Sequence, residues 1–248
     1  MEAFRIKNGI SATRYLGSNG TETAGTVGYA VSNGTYDSKS FATTAQENAP
    51  HGISIKPDGT KLFVLGNGGD DVGEYTLSTA YDISTASFVD SFSVSTQLSL
   101  PRGLFFKPDG TKFYAVGTST DKVFQYSMTT AWDVSTASYE SKEFLVSSQE
   151  TSPFGLSFKT DEMYTTSADN AQFVRIHTLT TAWDVSTASH TGSLDTSGDV
   201  TASQIGGLVF ANSGQKMYFS QQSNDTIYQY STVSYTQALD LSTGTTFS

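Results

Sequence analysis

Cysteine is absent from all 248 residues, which excludes disulfides, Cys-ligated zinc and thiol nucleophiles. Basic residues are scarce. With 14 Lys and Arg against 24 Asp and Glu, the net charge is −10, so neither nucleic acid nor an anionic membrane is an expected partner. Charged residues of both signs make up only 15%, too few for surface helices laced with Glu and Lys. Gly, Ser and Thr abound instead, as on a β-rich surface with many turns. No apolar run approaches the length of a transmembrane helix, and the opening MEAFRIKNGI lacks the apolar segment of a signal peptide. The expectation is a soluble protein made in a cytoplasm, released, if at all, by a route other than secretion.

What the chain does have is repetition. TTAWDVSTAS occurs unchanged at Thr129–Ser138 and Thr180–Ser189, with a near copy, STAYDISTAS, at Ser78–Ser87. The decapeptide belongs to a longer unit: PHGISIKPDGTKLFVLG from Pro50, PRGLFFKPDGTKFYAVG from Pro101, PFGLSFKTDEMYTTS from Pro153 and IGGLVFANSGQKMYFS from Ile205. Matching glycines at Gly52, Gly103, Gly155 and Gly207 are 51, 52 and 52 residues apart, and the chain's five prolines all fall on two positions of this frame. A catalytic loop is needed once, whereas a structural unit recurs.

Each unit reads as strands. GLFF suits a strand buried on both faces, and PDGTK is turn chemistry, with Pro fixing φ and Gly accepting a positive one. KFYAVG then completes a hairpin, DKVFQYSM reads as an alternating third strand, and SYESKEFLV as a fourth. Four antiparallel strands in about 50 residues correspond to one blade of a β-propeller. The fold class is therefore an all-β propeller of about four blades, starting at residues 50, 101, 153 and 205, with cores built on Leu104, Phe106, Tyr114, Val123 and their equivalents.

The segment GTYDSKSF matches ASYESKEF, so an N-terminal strand over residues 35–43 is expected to close the ring on the last blade. Two other layouts stay open: an arc completed by a second subunit, and a fifth blade built partly from the termini. Residues 1–30, with one probable strand at FRIK, and residues 232–248 flank the repeat region of residues 31–231.

Candidate chemistry is sparse. Trp132 and Trp183 lie in the decapeptide, where they read as apolar anchors of a connector stiffened by Asp133 and Ser135; sugar stacking is the alternative role. Asp70, Asp121 and Asp225 share one frame position at the start of the third strand, with Asp71 and Asn224 beside them. They read as turn formers, with a Ca²⁺ site as the alternative if the turns converge. His177 stands where the frame has Tyr126 and Tyr230, His190 where it has Tyr139, and His51 before a repeat glycine, all structural positions. No catalytic residue, metal ligand set or cofactor is expected.

The repeat FKPDGTKFYAVG…DKVFQYSMTTAWDVSTASYESKEF resembles those of virion structural proteins, tail- or fibre-associated, of marine tailed bacteriophages. The flanks FRIKNGISATRYLGSNGTETAG and LDLSTGTTFS are similar to flanks in the same proteins. The resemblance implies a non-enzymatic propeller on a phage tail or capsid, assembled in the host cytoplasm and released by lysis. Its partners would be other virion proteins, a second copy of the chain, or host-surface glycans. The competing expectations are a glycan-binding propeller module and, further off, a propeller hydrolase or lactonase.

Overall fold

The computed structural model describes residues 15–16, 22–23, 36–168, 172–200, 205–211, 216–221 and 226–232. The chain divides into two compact units, Met1–Thr35 and Tyr36–Ser248. In the first, β1 (Tyr15–Leu16) pairs antiparallel with β2 (Glu22–Thr23). The strand expected at FRIK lies outside the described residues.

In the second unit every repeat folds into its own antiparallel sheet. Blade 1 holds β3 (Pro50–Ile55), β4 (Lys61–Gly66), β5 (Asp71–Leu77) and β6 (Ala86–Ser93). Blade 2 holds β7 (Pro101–Phe106), β8 (Lys112–Gly117), β9 (Lys122–Met128) and β10 (Ala137–Leu145). Blade 3 holds β11 (Pro153–Lys159), β12 (Glu162–Ser167), β13 (Phe173–Leu179) and β14 (Ala188–Asp195). Blade 4 holds β15 (Ile205–Ala211), β16 (Lys216–Gln221) and β17 (Thr226–Ser231). The architecture is an all-β, four-bladed propeller.

The hairpin turn works as its residues dictate. Gly59 and Gly110 take φ of 74° and 72°, a region that L side chains avoid. Asp58 and Asp109 accept from Thr60 and Thr111 through both amide and hydroxyl, closing each turn on itself. Leu104, Phe106, Tyr114 and Val123 are all buried. The third strand departs from the expected alternation: Val123, Phe124, Gln125 and Tyr126 are buried in succession, because neighbouring blades cover both faces of the sheet.

Blades meet at seams of repeated design. The inner strands neighbour one another in the order β3, β7, β11, β15. At each seam a repeat glycine leaves room for the next blade: a Cβ on Gly52 would lie 2.9 Å from Leu104 Cβ, and one on Gly103 would lie 3.1 Å from Leu156 Cβ. One aromatic core fills the first seam, with Phe63 stacked on Phe106 at 4.2 Å and Phe106 on Trp132 at 5.6 Å. No comparable contact joins β15 to β3 among the described residues.

The closing strand expected over residues 35–43 is not formed among the described residues. Residues 36–43 form no strand, and blade 4 has three strands among the described residues. The segment nonetheless takes, against blade 1, the place of a preceding blade's outer strand. Phe41 meets Tyr75 edge-on at 5.1 Å, as Phe92 meets Tyr126 at 5.6 Å. Lys39 pairs with Asp82 at 2.7 Å, as Lys142 pairs with Asp184 at 2.7 Å, and Ser38 shares with Ser141 a φ of 57°. Among the described residues this segment makes no ladder to β17.

Candidate functional site

The repeated decapeptide is a latch between blades. Asp82, Asp133 and Asp184 each cap a single 3-10 turn, accepting from the amide of the Ser two residues on at 3.1 Å. Just before the cap, Tyr81, Trp132 and Trp183 take φ of 62°, 63° and 66°, which turns each ring onto a hairpin or seam. Trp132 is 9% exposed, against Phe63 and Phe106. Trp183 is half-buried, stacked on Phe105 at 6.3 Å and Phe158 at 6.1 Å, with Lys107 Nζ 5.9 Å from its centre. Neither ring offers an open platform to a sugar.

The preceding blade holds the latches of Trp132 and Trp183 by polar bonds. Lys61 Nζ donates to Trp132 O at 2.7 Å, and the Val134 amide donates to Glu74 Oε2 at 3.0 Å. One seam on, Tyr114 OH donates to Trp183 O at 2.8 Å and the Val185 amide to Gln125 Oε1 at 3.0 Å. Glu74 and Gln125 are buried, and both partners of each bond lose water together, so the polar groups are matched rather than stranded. Burial, with Glu140 nearby, raises the Tyr114 phenol far above its ordinary value, so it stays a neutral donor.

The two frame carboxylates among the described residues serve their own blades. Asp70 and Asp121 lie in separate blades with φ of 49° and 53°, and their carbonyls accept from the amides of Val94 and Val146 at 2.8 Å. They pin the fourth strand's exit to the start of the third. Burial, then Glu47, raises the Asp70 carboxyl; burial raises Asp71 as well. Glu47 is spent locally, accepting from the amides of Ala49 at 2.5 Å and Gly68 at 3.0 Å. Among the described residues no group of three or more His, Asp and Glu is placed to hold a metal ion. Asn224 and Asp225 lie outside the described residues.

A different site sits on the propeller axis. A cavity of about 590 Å³ is lined by the starts of all four inner strands, including His51, Arg102, Phe154 and Gly206, with Ser220 from β16. The Arg102 guanidinium lies 5.1 Å over the Phe154 ring and bonds through Nη1 to His51 Nε2. Burial, then Arg102, lowers the His51 pKa, which keeps the ring neutral and able to accept from the guanidinium. Arg102 Nε is buried without a hydrogen-bond partner, and no carboxylate pairs with this cation among the described residues. The arrangement suits an anionic or hydroxyl-rich ligand held by charge and by Phe154. Local motif reading does not find it, because His51, Arg102 and Phe154 each stand in a different blade. The usable signal is their shared frame position, one residue before Gly52, Gly103 and Gly155.

No protein family matches the chain, and no curated protein does. Solved structures do. The chain is similar to a protein from Bacteroides uniformis named as a candidate 6-phosphogluconolactonase, with a TM-score of 0.50 and 14% identity over 88% of this chain and 59% of that one. It is also similar to a chain of a mitotic checkpoint complex, with a TM-score of 0.51 and 10% identity over 75% of this chain and 51% of that one. A β-propeller domain from Myceliophteria thermophila matches with a TM-score of 0.47 and 11% identity over 74% of this chain and 54% of that one. The chain thus spans between half and three fifths of the length of these structures. At such identities the likeness concerns the fold and carries no activity across.

Proposed function

We propose that this chain is a non-enzymatic structural component of a tailed-phage particle, carried on the tail or capsid and used in assembly or host-surface contact. The supporting observation is how the repeat spends its residues. Trp132, Val134, Glu74, Gln125, Tyr114 and Lys61 all work in blade-to-blade seams, which makes the repeat a scaffold. The repeats and flanks that resemble virion proteins supply the location. Peptide mass spectrometry and antibody labelling of purified particles test it: a fixed copy number at a tail or capsid vertex is expected. Absence from particles, together with turnover of a glycan or lactone, would overturn it.

The axial cavity favours a second reading, a glycan-binding module. Arg102, His51 and Phe154 would hold the sugar there, rather than the two tryptophans. A glycan array with wild type and Arg102→Ala decides it: binding to a glycan class that is lost in the variant supports this reading, and silence on all glycans removes it.

A further inference from the structure

The axial cavity has more apolar wall than a sugar site needs. Among its lining side chains only His51, Arg102 and Ser220 are polar. Ser220 Oγ is already engaged, accepting from the Gly207 amide at 3.0 Å. The apolar lining is open rather than packed: Ile53 is 68% exposed and Val209 56%. Leu104, Leu156 and Leu208, which share the frame position of Ile53, are all buried. Two large aliphatic side chains left uncovered in a concave site are a surface that an apolar ligand body would shield from water. A pyranose would instead bring several hydroxyls to a wall with few groups to bond them, and each unmatched hydroxyl costs free energy.

The charge in the cavity is single and braced. The Arg102 guanidinium lies over Phe154 at 5.1 Å and donates through Nη1 to His51 Nε2, its one hydrogen bond among the described residues. Phe154 in turn meets His51 edge-on with ring centres 6.3 Å apart, so three side chains hold one another in place. Arg102 Nε is buried without a partner, and no carboxylate among the described residues pairs with the cation. Burial alone shifts the Arg102 pKa, downward, and a guanidinium stays protonated even so. A half-buried cation without a counter-charge is destabilised by the water it has lost, and an anion entering the cavity offsets that loss. Burial and Arg102 keep His51 neutral, so one positive charge awaits one negative charge. A dianion would leave a charge uncompensated, and the chain's net −10 repels polyanions.

We propose that the axial cavity binds a small monocarboxylate with an apolar body, an aryl- or branched alkyl-carboxylic acid. Its carboxylate meets Arg102 and its body covers Ile53 and Val209. A carboxylate matches a guanidinium in charge and in planar shape. The cavity volume of about 590 Å³ lies inside the range of roughly 300–1,000 Å³ usual for small-molecule sites. This ligand class differs from the glycan of the second reading, and the proposal stands whether or not the chain is a virion part.

Isothermal titration calorimetry of the full chain with phenylacetate, phenylacetamide, glucuronate and inorganic phosphate tests it. Phenylacetate should bind at a single site. Phenylacetamide, the same body without the charge, should bind at least about tenfold more weakly. Glucuronate keeps the charge without the apolar body, phosphate has no body at all, and both should be weaker than phenylacetate. Arg102→Gln should reduce phenylacetate binding to the level of the amide. Ile53→Ser, at an exposed position, should fold as wild type by circular dichroism and weaken phenylacetate severalfold. Should Arg102→Gln fail to fold, the acid–amide comparison in wild type and the Ile53→Ser variant still decide. Glucuronate binding more tightly than phenylacetate would overturn the proposal in favour of a sugar. No binding of phenylacetate, equal binding of acid and amide, or unchanged binding in a folded variant would overturn it outright.

Discussion

The seam between blades 1 and 2 and the ends of blades 4 and 1, which make no comparable seam among the described residues, use the same frame positions. In the first, Leu104 fills the notch at Gly52, Trp132 is buried, and Glu74 holds the Val134 amide at 3.0 Å. In the second, Ile53, Tyr81 and Gln229 occupy the corresponding positions, and all three are exposed. The residue types barely differ, so burial here follows from having a neighbour rather than from local sequence. A repeat protein of this kind gains stability from its interfaces, and a terminal unit is incomplete until something is stacked on it.

That contrast sets a series of expected effects. Trp132→Ala empties a filled seam and should cost on the order of 3–5 kcal/mol by denaturant unfolding. Tyr81→Ala at the same frame position removes an exposed ring and should cost within about 0.5 kcal/mol. Equal costs at the two positions would show that the seams do not differ.

Acid should act next, through blade 3. His177 stands at the frame position of Tyr126 and is buried, with Thr165 Oγ1 at 3.1 Å, Phe144 at 5.0 Å and His190 at 5.4 Å. Burial, then His190 and Arg175, lowers its pKa from 6.5 to about 3. The fold therefore favours the neutral ring, and the unfolded chain takes up the proton first as pH falls. Stability from this group is whole above about 6.5 and is lost progressively down to about 3, at up to ~1.4 kcal/mol per pH unit. His177→Tyr restores the frame residue and should flatten that part of the stability profile relative to wild type. An unchanged slope would assign the acid sensitivity to other groups.

Gln125→Ala should cost about 1–3 kcal/mol, because it strands the Val185 amide in a buried seam. Gln229→Ala, at the same frame position but exposed, should stay within about 0.5 kcal/mol of wild type. Denaturant unfolding of the two variants separates the two positions.

Much of this fold is legible in the sequence. The strands begin at Pro50, Pro101, Pro153 and Ile205, where the repeat places them, because turn residues such as Gly59 and Gly110 act locally. Trp132 as an anchor is legible for the same reason: an apolar residue in a repeated, capped connector has a structural use. How the last blade meets the first is less legible. Whether four blades complete a circle depends on the rotation at each seam, summed around the ring, and no single residue of the GTYDSKSF segment encodes that sum. The axial site was hidden too, since His51, Arg102 and Phe154 meet only after three separate blades are stacked. The carboxylates Asp70 and Asp121 share a frame position that repeats around the ring, and repetition alone does not bring side chains together.

The most direct test of the seam account is hydrogen exchange at three equivalent amides, Ile83, Val134 and Val185. Val134 and Val185 donate inside formed seams and should exchange slowly. The Ile83 amide has no acceptor among the described residues and should exchange markedly faster than both. Equal protection at all three amides would contradict the account.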